Sequence, residues 1–440
     1  MPPTGTEPQD RPPYYYLDTP FCEPVNSYRR GGFHPVHIHD ILHERYEVVN
    51  KLGYGSFATV WLVKDLRAGR SGSEVAALRL LEGSQLEDGS QCVMGEEFVV
   101  KVFDTFPVDG PNGTHQCIVT EVLGPHVGTQ PILCWGPGSD DEEEEEDMPV
   151  YPIDIAKKMV AQIAQGVAYL HRLGIVHADL HPGNVLFRVP EVENWTEQDV
   201  QKYFKKPSER AVERRVDDAS KDINDPHVPK YVVPARTSLA LLKHCTLDPN
   251  AVHVKICDFG EAFLWSRDNE PEPTGKQIAL EIHTPAVYAA PEILFRDAGS
   301  FSPAVDVWAT AVLAYWLLSG GSYLFNSYGC VAQEVVREIV AKLGKPPERW
   351  WAEWSGRSEW CDDSGSDIGR EMQIRQRWNK ALNMTPRMRE GEIRQFEELV
   401  RKMVSYQVED RIPAERVAQS IPASWMLSGA LEEHEPHIQA

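Results

Sequence analysis

The most informative residues lie in two short polar loops held between apolar runs. The first is Ile175-Val176-His177-Ala178-Asp179-Leu180-His181-Pro182-Gly183-Asn184-Val185-Leu186-Phe187. An aspartate followed five residues later by an asparagine pairs a carboxylate that can accept a proton with a neutral oxygen that can ligate a hard cation. The second is Val254-Lys255-Ile256-Cys257-Asp258-Phe259-Gly260, a short buried strand that delivers a carboxylate at a turn. A carboxylate there can hold magnesium and bridge it to phosphate oxygens. A third element, Gly53-Tyr54-Gly55-Ser56-Phe57-Ala58-Thr59-Val60, lacks two Cβ atoms, which lets backbone N–H groups approach phosphates closely. A tight hairpin with no ligand would call for the same glycines, so this element alone does not decide. The fourth is Thr284-Pro285-Ala286-Val287-Tyr288-Ala289-Ala290-Pro291-Glu292, followed by Asp306-Val307-Trp308.

These residues need elements to position them. Arg45 to Asp65 alternates apolar and polar residues around the glycines, the pattern of a strand, a turn and a second strand. Residues 115–123 form a further buried strand. Tyr151 to Leu173 carries Ile155, Met159, Ile163, Val167 and Leu170 at helical spacing, with Pro152 at its start. Phe301 to Leu318 is apolar nearly all round and predicts a buried helix. Helical patterns also run from about 330 to 343 and from 391 to 405. Residues 1–44 are rich in proline and aromatics without a sustained period, the pattern of an extended arm. His34, His37, His39 and His43 within it have no cysteine or carboxylate at a metal-ligand spacing and read as surface histidines. The run Asp140 to Asp147 consists of eight like charges and predicts a loop tip, and the mixed-charge stretch 189–253 reads as an insertion with some helix.

Composition excludes several classes. With 42% hydrophobic and 25% charged residues the chain is neither disordered nor fibrous. A net charge of −22 repels phosphate backbones and acidic membranes, so direct binding to nucleic acid or membrane is not expected. None of the eight cysteines forms a C-x-x-C pair, which points to a reducing compartment. The N-terminus has no apolar core of a secretory signal, and the longest apolar stretch, Val307 to Leu318, is too short to span a bilayer. A soluble intracellular protein is expected.

Taken in this order, the four elements resemble the eukaryotic protein kinases over about residues 45–427. Closer similarity is to the serine/arginine-rich-protein kinases, particularly their fungal relatives. It is carried by KLGYGSFATVWLVKDL, NGTHQCIVTEVLGP (112–125), TPAVYAAPE and GKPPERWW (344–351). The 79 positions between Asp179 and Asp258 also match the long insertion of that group. The resemblance implies an α+β, bilobal protein kinase fold, with an arm (1–44), a small β-rich N-terminal lobe (45–123), a larger helical C-terminal lobe (124–427) and a tail (428–440). It implies ATP and Mg2+ as cofactors and serine in arginine/serine-rich proteins of RNA processing as substrate. A monomer of cytoplasm and nucleus follows from the same likeness. Asp179 would orient the substrate hydroxyl and accept its proton, while Asn184 and Asp258 would hold magnesium against the phosphates. Leu52, Gly53, Gly55 and Val60 would cover the nucleotide, Glu121 to Leu123 would form the hinge reading the adenine edge, and Thr284 would align Asp179. Glu292 and Arg411 match a buried ion pair bracing the C-terminal lobe.

The chain departs from the pattern at three places. Ala58 replaces a third glycine, and His181 stands where a lysine usually contacts the transferred phosphoryl group, so a weaker contribution is expected there. The family's third-strand lysine has no counterpart, because no lysine occurs between Lys64 and Lys101. One reading puts Arg79 in its place on a strand. The favoured reading makes Ser73 to Leu81 the following helix, with Glu74 as its pairing glutamate and the third strand missing. A degenerate pseudokinase, a scaffold, or a shortened gene model stays open on that reading. A small-molecule phosphotransferase is the remaining alternative, since its loop also reads H-x-D-L-H-P-G-N.

Overall fold

A computed structural model describes residues 14–15, 21–55, 58–67, 75–81, 94–129, 151–214, 225–235, 238–265, 282–325, 331–364 and 388–426. The acidic run 140–147, Glu74, Ser56, Phe57 and the tail lie outside the described residues. The chain divides into two compact units.

The first unit comprises residues 1–90, 100–125 and 189–244. Its centre is an antiparallel sheet of β1 (Tyr46–Tyr54), β2 (Thr59–Asp65), β3 (Val75–Leu81), β4 (Val102–Gly110) and β5 (Gly113–Thr120). The order is β1-β2-β3-β5-β4, with the short strand Ile41–Leu42 outside β1. Side chains two apart on a strand share a face. Tyr46 and Val48, Trp61 and Val63, and Cys117 and Val119 accordingly build one apolar layer. Val36 and Leu42 from the arm and Val233 from the insertion close over it.

Two placements differ from the sequence reading. The described part of the arm is packed rather than extended: Cys22, Val25, Tyr28 and Phe33 cluster with Val232. Residues 189–244, read as part of the C-terminal lobe, cluster with the first unit instead. Asn50 Nδ2 donates to the carbonyls of Phe204 and Lys205 (3.1 and 2.9 Å), and Ile38 N–H donates to the Tyr231 hydroxyl at 3.0 Å. Glu23, from the arm, pairs with Lys51 on β1, both side chains almost fully buried, and also accepts from the Tyr28 hydroxyl. A charge buried this deeply is tolerated only when paired, so the arm and β1 stabilise each other.

His34, also from the arm, packs edge-on against His115 of β5, with ring centroids 5.1 Å apart. Burial first, then the charge of neighbouring His115, pushes its imidazole down to about 4, against a smaller opposing effect of Asp40. A histidine with a lowered folded value binds its proton more readily when unfolded. Its contribution to stability is therefore complete above its ordinary value of 6.5 and falls as pH drops toward 4. Thermal unfolding between those two pH values should show this decline, and His34→Gln should flatten it. An unchanged slope in the variant would contradict the assignment.

The second unit comprises residues 91–99, 126–188 and 245–440. β6 (Val185–Arg188) and β7 (Val254–Ile256) pair antiparallel, with Val185 opposite Ile256. Helix α1 (Ile153–Arg172) starts after Pro152 and buries the expected Ile155, Met159, Ile163, Val167 and Leu170. Helix α2 (Ala304–Ser319) is buried throughout from Val305 to Leu318 and stops at Gly320, whose φ of 81° suits a residue without Cβ. Helices α3 (Ala332–Leu343), α4 (Glu390–Met403) and α5 (Ala414–Ser420) belong to the same unit, the first two within two residues of the sequence expectation. No helix among the described residues is long and apolar enough to cross a membrane.

Candidate active site

The β6–β7 pairing explains how two distant sequence motifs meet. Asn184 immediately precedes β6 and Cys257 immediately follows β7, and Cys257 N–H donates to the Asn184 carbonyl at 2.9 Å. Asp258, the next residue, lies in the left-handed region (φ 66°), and its Oδ1 accepts from Gly260 N–H at 3.3 Å. The two candidate cation ligands are thus held on neighbouring strand ends.

Asp179 sits in the loop before β6. Asn184 Nδ2 donates both to its backbone carbonyl and to its Oδ2, each at 2.9 Å. The other carboxylate oxygen, Oδ1, is buried without a hydrogen-bond partner among the described residues. A buried acceptor left open costs free energy and marks a place where a donor is expected to dock. With the Asn184 amide nitrogen committed to Asp179, the amide oxygen is the group left for a hard cation. An asparagine oxygen and one carboxylate suit magnesium, which keeps several waters and takes its remaining oxygens from phosphates. The residues therefore fit the cation that the sequence implied.

The loop is anchored from beneath by Asp306 on α2. Its Oδ2 accepts from His177 N–H (2.8 Å) and His171 Nε2 (2.9 Å), and its Oδ1 accepts from Ala178 N–H (2.8 Å). Burial pushes this carboxyl up, but the hydrogen bond and charge of His171, with those of His177, outweigh it and hold it below the ordinary value. Ala178 carries a φ of 63°, a strained conformation for alanine that costs on the order of 1–3 kcal/mol. Asp306 on its N–H and the Thr284 hydroxyl on its carbonyl hold it there. Thr284 thus reaches the backbone beside Asp179, not the carboxylate. His177 links the two loops: Asp179 N–H donates to its Nδ1 (3.2 Å), and its Nε2 donates to the Cys257 carbonyl (3.0 Å). The role of Asp306 rests on contacts distant in sequence. An acid inside an otherwise apolar helix was the available signal.

In the first unit, Gly53 on β1 is opposite Val60 on β2, and Gly55 N–H donates to the Ala58 carbonyl at 2.8 Å. An added Cβ at Gly53 or Gly55 would meet nothing within 4 Å, and neither φ is positive. A Cβ would therefore find room at both positions. Leu52 lies on β1, half-buried. Glu121 Oε1 accepts from Lys101 N–H (2.8 Å), and Leu123 follows buried Val122.

The favoured reading of Ser73 to Leu81 is overturned. Val75–Leu81 is strand β3, paired with β2 and β5, so the third strand is present, and the pairing role given to Glu74 falls outside the described residues. Arg79 stands opposite Val60 on one side and Ile118 on the other. The register thus puts Arg79 on the third strand, where the alternative reading had it. Lys51 cannot stand in, being opposite Trp61 and buried against Glu23.

Several known proteins are similar to this chain. The protein kinase domain matches residues 245–421. The chain is 28% identical over 315 residues to a serine/threonine-protein kinase SRPK of Physarum polycephalum, covering 68% of this chain and 66% of that protein. Similarity extends to protein kinase dsk1 of Schizosaccharomyces pombe, 33% identical over 38% of this chain and 31% of the relative. It extends also to human SRSF protein kinase 3, at 33% over 38% of this chain and 30% of the relative. The chain thus spans about two thirds of the first relative's length and under a third of the other two. A crystal structure of a kinase domain superimposes with a TM-score of 0.53 at 16% identity, covering 89% of this chain and 98% of the other. The fold is that of a protein kinase.

Proposed function

For a chain that is an SR-protein-kinase-like eukaryotic protein kinase, we propose transfer of the ATP γ-phosphate to serine hydroxyls in arginine/serine-rich proteins. The observation that carries this reading is the buried, unpartnered Oδ1 of Asp179, beside Asn184 and one strand end from Asp258. The serine Oγ–H gives its proton to Oδ1 as Oγ bonds to the γ-phosphorus. The bond from that phosphorus to the bridging oxygen breaks, and ADP leaves. Asn184 and Asp258 would hold magnesium, whose charge neutralises the phosphate oxygens when bound. Asp306, His177 and Thr284 keep the loop in its strained shape, so the base is in place before substrate arrives. By the likeness to these kinases, Leu52, Gly53, Gly55 and Val60 would cover the nucleotide, and Glu121–Leu123 would read the adenine edge.

The substrate class is supported by the likeness to SRSF protein kinase 3 and by the net charge of −22. An acidic surface draws in arginine-rich peptides and speeds their encounter. The same charge disfavours direct binding of nucleic acid or acidic membranes. Cytoplasm and nucleus, where such substrates reside, are the proposed location, and a monomer is the proposed state.

Arg79 supplies the cation that the third strand otherwise brings to the phosphates. A guanidinium keeps its charge at any working pH and suits phosphate oxygens, although its planar fork is not a lysine's point charge. A charge-assisted hydrogen bond is worth roughly 1.5–3 kcal/mol, so Arg79→Met should weaken transfer and ATP affinity by roughly ten- to a hundredfold. Arg79→Lys should keep most of both. Initial rates with Mg-ATP and an arginine/serine-repeat peptide, together with nucleotide-induced stabilisation, decide this. A methionine variant as active as the parent chain would exclude Arg79.

A further inference from the structure

His181 lies between the base and its asparagine, and its ring is held in one orientation. Nδ1 accepts from Gly183 N–H at 3.0 Å. A ring nitrogen that accepts carries no proton, so the neutral imidazole keeps its proton on Nε2. Nε2 stands 3.5 Å from Oδ2 of Asp179, the oxygen that Asn184 Nδ2 reaches at 2.9 Å. The seat is built for this ring: a Cβ on residue 183 would come within 2.7 Å of its Cε1 and 3.0 Å of its Nδ1. Tyr288 bounds it on another side, at 6.1 Å between ring centroids. A lysine at this position has three donors and no acceptor, and could not take the Gly183 N–H. His181 does what a lysine could not, accepting the Gly183 N–H on one nitrogen while the other stands 3.5 Å from the Asp179 carboxylate.

We propose that His181 is a positioning residue whose Nε2–H, with the Asn184 amide, occupies Oδ2 of Asp179 and leaves Oδ1 as the oxygen that takes the serine proton. It rests on the kinase reading above. His181 keeps its own proton throughout the transfer and forms no bond to phosphorus. Its role is therefore different in kind from a weakened lysine contact to the phosphoryl group.

The test uses the full chain with Mg-ATP and an arginine/serine-repeat peptide. His181→Leu should lower kcat by roughly ten- to a hundredfold with KM for ATP and the melting temperature unchanged. His181→Gln, which keeps a donor at similar reach, should restore most of the loss. A leucine variant as active as the parent, a glutamine variant no better than leucine, or a loss confined to KM for ATP would overturn the proposal. Should the parent chain transfer no phosphate, the kinase reading fails, and ring 15N NMR on histidine-labelled chain still decides this one. A ring protonated on Nε2 whose signal moves in Asp179→Asn supports it. Protonation on Nδ1, or indifference to Asp179→Asn, overturns it.

Discussion

Asp179→Asn should reduce phosphate transfer by about 10²–10⁴-fold while leaving the melting temperature and nucleotide-induced stabilisation intact. The substitution is close to isosteric, and its oxygen can still accept from Asn184 Nδ2 at the Oδ2 position. What then faces the substrate is an NH2 group where Oδ1 was, a donor in place of the open acceptor. The serine proton has nowhere to go, and the loss falls on kcat. Backbone anchoring through Asp306, His177 and Thr284 does not involve this carboxylate, so the loop should hold its shape. Single-turnover transfer to the peptide measures the effect. Retention of more than about a tenth of the parent rate would mean that another group takes the proton.

Arg411→Leu should destabilise the second unit by about 3–5 kcal/mol, and Glu292→Leu by a similar amount. Arg411 meets Glu292 through two parallel bonds of 2.6 and 2.7 Å, with both side chains fully buried. Its Nη1 also donates to the Ala304 carbonyl (3.0 Å) and its Nε to that of Ser405 (2.8 Å), while the guanidinium lies 5.0 Å from the centroid of the Trp308 ring. These contacts tie the start of α2 to the Pro291–Leu294 turn before it and to the segment between α4 and α5. Removing one partner strands the other's charge in a dry site, and that dominates the loss. The double variant should therefore recover part of it, since it leaves no unpaired ion. Urea unfolding followed by tryptophan fluorescence measures all three chains. Additive losses in the double variant would contradict the account.

The residues that do chemistry were legible because they are local. Asp179 with Asn184, and Asp258 at the end of an apolar run, are patterns a few residues long, and the structure places each pair of loops side by side through β6 and β7. Helices α1 and α2 followed from their own periodicity. Val75–Leu81 was misread because VAALRLL is rich in alanine and leucine, whose local preference is helical. Its strand state is set by partners on both sides, Lys64 to Thr59 along β2 and Thr120 to Gln116 along β5, which no local pattern reveals. The arm's extended reading fails for the same reason. Ile38 meets Tyr231 across 193 positions of sequence, and Glu23 meets Lys51, a buried pairing that spacing cannot announce. Asp306 was visible as an acid in an apolar helix, but its service to His177 and Ala178 is a contact across 128 and 129 positions.

The central claim is that the chain moves the γ-phosphate of ATP to a serine hydroxyl. Incubating the purified full chain with γ-labelled ATP, magnesium and an arginine/serine-repeat peptide, beside the Asp179→Asn chain, tests it most directly. Labelled phosphoserine that accumulates with the parent and not with the variant is the expected result. Nucleotide binding that raises the melting temperature, with no label in the peptide, would contradict the claim and leave a chain that binds ATP without transferring from it.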